Sequence, residues 1–192
     1  RQWSRGLGDV YKRQLLEGDI LNVDITTIIN GWHGDSSRMY KIGKVSVKAN
    51  NLCEVTHQCL IESIKEIKVG GSISRIGKKI DEIANNNYFS VVKDFCGHGV
   101  GKNFHESPSI LHYYDPEYDN IKFIDGMIFT VEPMINSGKY HSKILSDGWT
   151  AVTKDKTLSA QYEHTIYING DNIEILTNSP KGIFYNLSLI HI

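Results

Sequence analysis

The sequence predicts one α+β domain, because a strand–turn–strand pattern comes early, two helical patterns follow it, and strand patterns fill most of the second half. The 192 residues are 40% hydrophobic and 22% charged, which is typical of a globular domain with one sizeable core. No internal repeat or low-complexity linker divides the chain. We therefore expect a single folded unit over residues 15–180.

The first predicted element is a β-hairpin. Residues 19–29 alternate and are rich in β-branched side chains, Asn30-Gly31 is a strong signal for a two-residue turn, and residues 32–42 alternate again. Such a turn sets the register, so Asp24 and Asp35 share one face at roughly 7 to 8 Å between backbones. A slip of one residue would instead place them on opposite faces.

The two faces of this hairpin are expected to differ. The face with Asp24 and Asp35 is polar, and it is open to two interpretations, a solvated surface or an acidic site. The other face is expected to pack in the core, and it carries Leu21, Val23, Ile25, Ile29, Trp32 and Tyr40.

Two helices are predicted next. The first lies within Lys48–Lys68, where apolar residues recur at spacings of three and four until Gly70-Gly71 ends the pattern; they are Leu52, Val55, Cys59, Leu60, Ile64 and Ile67. The second is shorter, with Ser72 or Ser74 as its N-cap and Ile76, Ile80 and Ile83 as its buried face.

Strands are predicted for the remainder, over Tyr88–Cys96, Gly126–Asn136, Gly148–Thr153, Tyr162–Ile168 and Ile173–Leu176. Two carboxylates lie in apolar surroundings, Glu132 in MIFTVEPMI and Glu163 in SAQYEHTIYI. A carboxylate is costly to bury without compensation, although either one alone is more often an edge or surface residue. Pro133 is expected to end or bulge its strand, which re-aims a side chain.

The segment CGHGVGKNFHE places His98 and His105 among three glycines. Glycine destabilises regular elements, so something other than side-chain packing is expected to hold this segment. Four converging carboxylates would raise one another's pKa values unless a multivalent cation lay among them. Four oxygen donors and an imidazole suit a pair of first-row divalent ions, and the spacing does not choose between metals.

Charge and cysteine content argue against a protein that binds nucleic acid, associates with a membrane or is held by disulfides. Lys and Arg number 21 against 22 Asp and Glu, which leaves no electrostatic footprint for nucleic acid or an anionic membrane. No apolar run approaches the roughly 20 residues of a transmembrane helix. Three sparse cysteines, Cys53, Cys59 and Cys96, fit reduced thiols in a cytoplasmic compartment.

The two ends of the chain do not fit the domain. Residues 1–14 show neither a helical nor a strand period, and residues 187–192 are equally abrupt. Both resemble translated adaptor or vector sequence, so we expect them to be non-native flanks.

Five segments resemble, in order, the signatures of type I methionine aminopeptidases: NVDITTIINGWHGDSSRMY, CGHGVGKNFHESPSILHYY, FTVEPMINSG, DGWT and LSAQYEHTIYI. The resemblance runs from about Leu16 to Asn178. It implies the pita-bread fold, an α+β domain whose curved antiparallel sheet carries helices on its outer face. Members of this family have a further segment before the hairpin, so the resemblance implies a catalytic domain over residues 15–180 that is incomplete at its N-terminus. Exposed apolar surface and weak or absent activity are then expected of this chain.

The resemblance implies a role for each candidate ligand. Asp24 would chelate one of two divalent ions, which would be Mn, Fe, Co or Zn. His98 and Glu132 would chelate the other, and Asp35 and Glu163 would bridge the pair. A water or hydroxide between the ions would be the nucleophile, with Glu132 as its general base.

Three further residues are implied to face the substrate. His105 resembles the histidine that hydrogen-bonds the scissile peptide and stabilises the tetrahedral intermediate. Phe104 and Trp149 match positions that line the pocket for the methionine side chain, although both could be ordinary core aromatics. The implied substrates are nascent polypeptides with N-terminal methionine and a small second residue. The implied enzyme is a cytoplasmic monomer in transient contact with ribosomes, without membrane or specific nucleic-acid partners.

Two alternatives remain open. A proline-specific aminopeptidase or dipeptidase of the same fold is disfavoured by SAQYEHT and by the match around His98. A non-catalytic binding module of this fold would be expected to have lost ligands, whereas all five are present here.

Overall fold

The computed structural model describes residues 14–178, so the predicted flanks, except Gln14, lie outside the described residues. Within this range the chain forms helices α1 (Val47–Ile64) and α2 (Ser74–Asn86) and a short 3-10 helix (Pro116–Asn120). The strands of this range are β1 (Ile20–Ile29), β2 (Trp32–Lys41), β3 (Ser90–Val91), β4 (Gly97–Gly99), β5 (Glu106–Ile110), β6 (Ile128–Val131), β7 (Met134–Asn136), β8 (Ser142–Ile144), β9 (Ala151–Thr153), β10 (Ser159–Gln161), β11 (His164–Asn169) and β12 (Asn172–Ile175).

The hairpin has the predicted register. Asp24 lies opposite Ser37 and Thr26 lies opposite Asp35 in the antiparallel β1–β2 ladder. The turn residues Asn30 and Gly31 have φ of 53° and 82°, which is the left-handed backbone that a two-residue hairpin turn requires.

The prediction that the apolar face of the hairpin lies in the core is wrong. Ile25, Ile29 and Trp32 are 56%, 70% and 52% exposed, and the other members of that face are half-buried. The polar face is the one that packs, because Asp35 and Ser37 on it are only 4% and 1% exposed. The β2 backbone joins the sheet at this point, where the Glu163 N–H donates to the Ser37 carbonyl at 3.0 Å. The hairpin therefore covers the adjoining sheet with its acidic side.

Both predicted helices are present, with different ends. α1 ends at Ile64, four residues earlier than expected, and Ser46 caps it by accepting from the Ala49 N–H at 3.1 Å. The cap predicted for α2 is wrong: Ile73 occupies the N-cap position without a side-chain bond. The hydroxyl of Ser74 donates to Asp119 instead. All the predicted apolar positions of the two helices are buried.

The strands form a five-stranded antiparallel sheet in the order β12-β11-β6-β4-β5 and a three-stranded sheet in the order β10-β7-β3. The strand predicted over residues 126–136 divides into β6 and β7 at Glu132-Pro133, as the proline indicated. The strand predicted over residues 88–96 is reduced to β3, and Tyr88 itself has a left-handed φ of 59°. The predictions for β9, β11 and β12 are confirmed within a few residues, whereas β4, β5, β8 and β10 were not predicted.

The core lies between the helices and these sheets. Helix residues pack in one cluster with residues of β6, β7 and β11, and its fully buried members include Leu52, Leu60, Ile76, Ile80, Phe129, Ile135 and Ile166. Packing against this core fixes the positions of β6 and β11, which lie next to the hairpin.

Candidate metal centre

Three of the five predicted ligands come within metal-binding distance of one another where the hairpin meets the five-stranded sheet, and Glu132 and Asp24 lie next to them. The ligand atoms of Asp35, His98 and Glu163 lie within 4.8 Å of one another. Nε2 of His98 lies 3.6 Å from Oε1 of Glu132. The charge of Asp24 is close enough to raise the pKa values of Glu132 and Glu163, although burial raises both of them more.

Asp35 is fixed through both its side chain and its backbone. Thr26 Oγ1 donates to Asp35 Oδ1 at 2.9 Å. Thr165 Oγ1, on β11, accepts from the Asp35 N–H at 3.0 Å and donates to the Asp35 carbonyl at 2.7 Å. These bonds join the hairpin to β11 and bring Asp35 to the other carboxylates. Desolvation, and next the charge of Asp35, raise the pKa of the neighbouring Asp24 to about 6.

The glycines around His98 permit close contact between strands. A Cβ atom at Gly97 would lie 2.4 Å from the Thr130 carbonyl oxygen, and one at Gly99 would lie 2.4 Å from that of Ser107. Both glycines have φ outside the left-handed region, so the neighbouring backbone and not a turn requires them. This contact with protein backbone explains why the segment tolerates the conformational cost of glycine.

The imidazole of His98 is oriented for metal binding. Its Nδ1 lies 2.9 Å from the Gly99 carbonyl oxygen, and since a carbonyl only accepts, Nδ1 carries the proton and Nε2 has the lone pair that a metal ligand needs. Burial lowers the pKa of His98, which favours the neutral ring that a metal needs.

Glu132 is 8% exposed and is held by three hydrogen bonds. Its N–H donates to Nε2 of His112 at 3.1 Å, its Oε1 accepts from Thr130 Oγ1 at 2.8 Å, and its Oε2 accepts from Gln161 Nε2 at 3.2 Å. Burial nevertheless raises the pKa of this carboxyl group.

Glu163 provides the test of whether the cluster fits a cation. It is 1% exposed, and its Oε1 is buried without a hydrogen-bond partner among residues 14–178. Its pKa is raised chiefly by burial and then by Glu132, Asp35 and Asp24. An unpartnered oxygen among several carboxylates and a neutral imidazole is what a divalent cation would satisfy. The donor set therefore fits a metal.

The residues expected to face the substrate lie in two places. His105 is exposed, and its ring centroid is 4.4 Å from that of His98. Phe104 is 37% exposed and makes ring contacts with His33, His98 and His105. Trp149 lies between β8 and β9, is 58% exposed, and its backbone N–H donates to Asp147 Oδ1 at 2.9 Å. Neither aromatic is an ordinary core residue, and their place in a methionine pocket stays a prediction.

Sequence reasoning missed three partners of Glu132. Thr130 could have been found, because residues two apart on a strand share a face. Gln161 lies two residues before Glu163 on a neighbouring strand and gives a weaker signal. His112 gave none, because its contact depends on where residues 20 positions apart meet in the fold.

Comparison with known proteins gives the same picture. The profile described as metallopeptidase family M24 matches residues 7–170. The methionine aminopeptidase of Buchnera aphidicola subsp. Acyrthosiphon pisum is 50% identical over 161 residues, which are 84% of this chain and 61% of that protein. That of Escherichia coli K12 is 45% identical over 163 residues, covering 85% and 61%. The chain thus spans about three fifths of the length of these curated relatives.

Solved structures are similar too. A crystal structure of methionine aminopeptidase from Rickettsia prowazekii matches with a TM-score of 0.83 and 44% identity, covering 87% of this chain and 67% of that one. A prolidase from Pyrococcus furiosus matches with a TM-score of 0.67 at 21% identity, covering 90% and 45%, and indicates the fold alone. Neither α1 nor α2, nor any other helix of the described range, is long and apolar enough to cross a membrane.

Proposed function

Because the chain belongs to metallopeptidase family M24, we propose that its cluster of acids around His98 removes methionine from the N-terminus of polypeptides. The α+β pita-bread fold expected from the resemblance is confirmed, and membership of a metallopeptidase family implies a divalent metal cofactor. The observation that carries the proposal is the approach of the ligand atoms of Asp35, His98 and Glu163 to within 4.8 Å of one another.

We assign the ligands as the resemblance implies. Asp35 and Glu163 would be shared by two ions, Asp24 would bind one of them, and His98 and Glu132 would bind the other. The support is the unpartnered Oε1 of Glu163, together with the unprotonated Nε2 of His98. Mn, Fe, Co and Zn all accept such oxygen and imidazole donors.

The chemistry divides between the cations and the protein. Bound divalent cations would lower the pKa of a water molecule and polarise the scissile carbonyl. Glu132 would accept the proton of the attacking water and transfer it to the leaving amine. His105, exposed beside His98, would donate a hydrogen bond to the developing oxyanion.

The substrate end of the site is proposed on the same basis. Phe104 and Trp149 would contact the methionine side chain, and both retain enough exposure to do so. The substrates would be nascent polypeptides with a small second residue, met in the cytoplasm during transient contact with ribosomes. The active species would be a monomer.

The test is methionine release from a Met-Ala-Ser peptide by the 192-residue chain with Mn²⁺, Co²⁺ or Fe²⁺. Asp35→Asn should abolish release, because it removes one negative oxygen donor from the cluster. Asp171→Asn makes the same chemical change at an exposed turn position and should leave the rate unaltered. Release that persists in Asp35→Asn would contradict the proposal. No release by the parent chain would contradict it for this polypeptide and would agree with the weak or absent activity expected of an incomplete domain.

A further inference from the structure

A single buried hydroxyl lies between His98 and Glu132. Thr130, on β6, is fully buried, and its Oγ1 accepts from the His98 N–H at 3.0 Å. The same oxygen donates to Oε1 of Glu132 at 2.8 Å. One side chain therefore contacts two candidate ligands that are 34 residues apart in the sequence.

The direction of these two bonds is determined by chemistry. A backbone N–H can only donate, so Thr130 Oγ1 must be the acceptor toward His98 and its one proton is left for Glu132. When Glu132 is ionised, as a metal ligand must be, its Oε1 accepts this proton in a hydrogen bond. The amide nitrogen of Gln161 likewise donates to Oε2, so the carboxylate plane is held from both oxygens.

The surrounding backbone keeps this hydroxyl in place. A Cβ atom at Gly97 would lie 3.2 Å from Thr130 Oγ1 and 2.4 Å from the Thr130 carbonyl oxygen. β4 and β6 are thus in close contact at this point, and the β-branched Thr130 has restricted χ1 freedom. The hydroxyl cannot turn away without losing both of its bonds.

We propose that Thr130 is the positioning residue that couples the two ligands, by holding the His98 backbone and the Glu132 carboxylate in one arrangement. It acts through Glu132 and does not touch substrate. The proposal rests on the proposed function, since Glu132 is there both ligand and proton acceptor. Partners of metal ligands typically change metal affinity or activity by about 10- to 100-fold when removed.

The test compares three variants of the 192-residue chain. Thr130→Val keeps the shape and removes the hydroxyl, and it should weaken Co²⁺ binding and lower kcat for Met-Ala-Ser by about 10-fold or more while KM changes little. Thr130→Ser restores the hydroxyl and should recover most of both losses. Thr56→Val removes another fully buried hydroxyl, which donates to the Leu52 carbonyl within α1, and should leave both quantities unchanged.

Two measurements separate this proposal from the proposed function. Co²⁺ affinity, measured by calorimetry, needs no turnover, so weaker binding in Thr130→Val alone would support the positioning role even if the parent chain released no methionine. Equal Co²⁺ affinity and kcat in Thr130→Val and the parent would overturn it. The same losses in Thr130→Ser, or a parent chain that binds no Co²⁺, would overturn it as well.

Discussion

The backbone N–H of Glu132 donates to Nε2 of His112 across 3.1 Å, and both residues are buried. β6 ends at Val131, so an imidazole nitrogen replaces the carbonyl that a continuing ladder would supply. Burial, and next the charge of His98, lower the pKa of His112 to about 3. The ring is therefore neutral at physiological pH and able to accept this bond.

Replacing His112 should destabilise the fold. His112→Leu would leave the buried N–H of Glu132 without an acceptor, which costs about 1–3 kcal/mol, whereas His112→Gln retains an oxygen that can accept. Urea unfolding of the metal-free chain measures this difference. His141 is exposed, and His141→Gln should shift the free energy of unfolding by no more than about 0.5 kcal/mol. A His112→Leu variant as stable as the parent would contradict the assigned bond.

Without metal, the free energy of unfolding should fall as pH rises from about 7 to 8.5. The pKa values of Glu132 and Glu163 are raised to about 8 and about 10 from 4.5. The folded chain therefore binds protons that the unfolded chain has released. A raised pKa gives stability that is complete below the unfolded value and lost as pH rises through the folded value. The depressed pKa of His112 acts in the opposite direction, but only below its unfolded value of 6.5.

The control for this pH dependence exchanges one carboxylate. Glu163→Gln should reduce the fall between pH 7 and 8.5 and make the metal-free protein more stable than the parent at pH 8.5. Glu117 is exposed in the 3-10 helix, so Glu117→Gln should keep the parent's slope. The stability of all three proteins is measured by thermal unfolding in EDTA at several pH values. If stability falls with pH as steeply in Glu163→Gln as in the parent, the Glu163 carboxyl does not have the raised pKa that its burial implies.

A methyl group at Gly97 should disturb both fold and site. The added Cβ would lie 2.4 Å from the Thr130 carbonyl oxygen, and relieving such overpacking typically costs about 1–3 kcal/mol. Because β4 must move, Gly97→Ala should also bind Co²⁺ more weakly. Gly34→Ala is the matched strand control, since its Cβ would meet Thr27 Oγ1 only at 3.7 Å. The free energy of unfolding from urea denaturation and the Co²⁺ affinity from calorimetry should therefore both be lower in Gly97→Ala than in Gly34→Ala.

The exposed face of the hairpin should tolerate polar substitution. Ile29 is 70% exposed, so Ile29→Thr should alter the free energy of unfolding by no more than about 0.5 kcal/mol. Ile166 is fully buried, and the same exchange there should cost about 2 kcal/mol or more because it places a hydroxyl in the core. A large loss on Ile29→Thr in urea unfolding would mean that this face is covered.

Much of the site was predictable because its signals are local. The Asn30-Gly31 turn determines the hairpin register, and that register alone places Asp24 and Asp35 on one face. Pro133 marks the break in the ladder next to Glu132. The two helices follow from the spacing of their apolar residues, and every one of those residues is buried.

The tertiary structure decided which of the hairpin's two faces is covered. Alternation shows that a strand has two different faces, but both can be buried or exposed depending on distant partners. Here the hydrogen bonds between Thr165 and Asp35, 130 residues apart in the sequence, hold the β2 part of the acidic face against β11, while Ile25 and Ile29 on the other face are exposed. The contacts of His112 with Glu132 and of Thr130 with His98 likewise join residues that are distant in the sequence. Local signals in the sequence were enough to predict the elements and the candidate ligands, whereas long-range contacts between strands fix how those side chains are oriented and held.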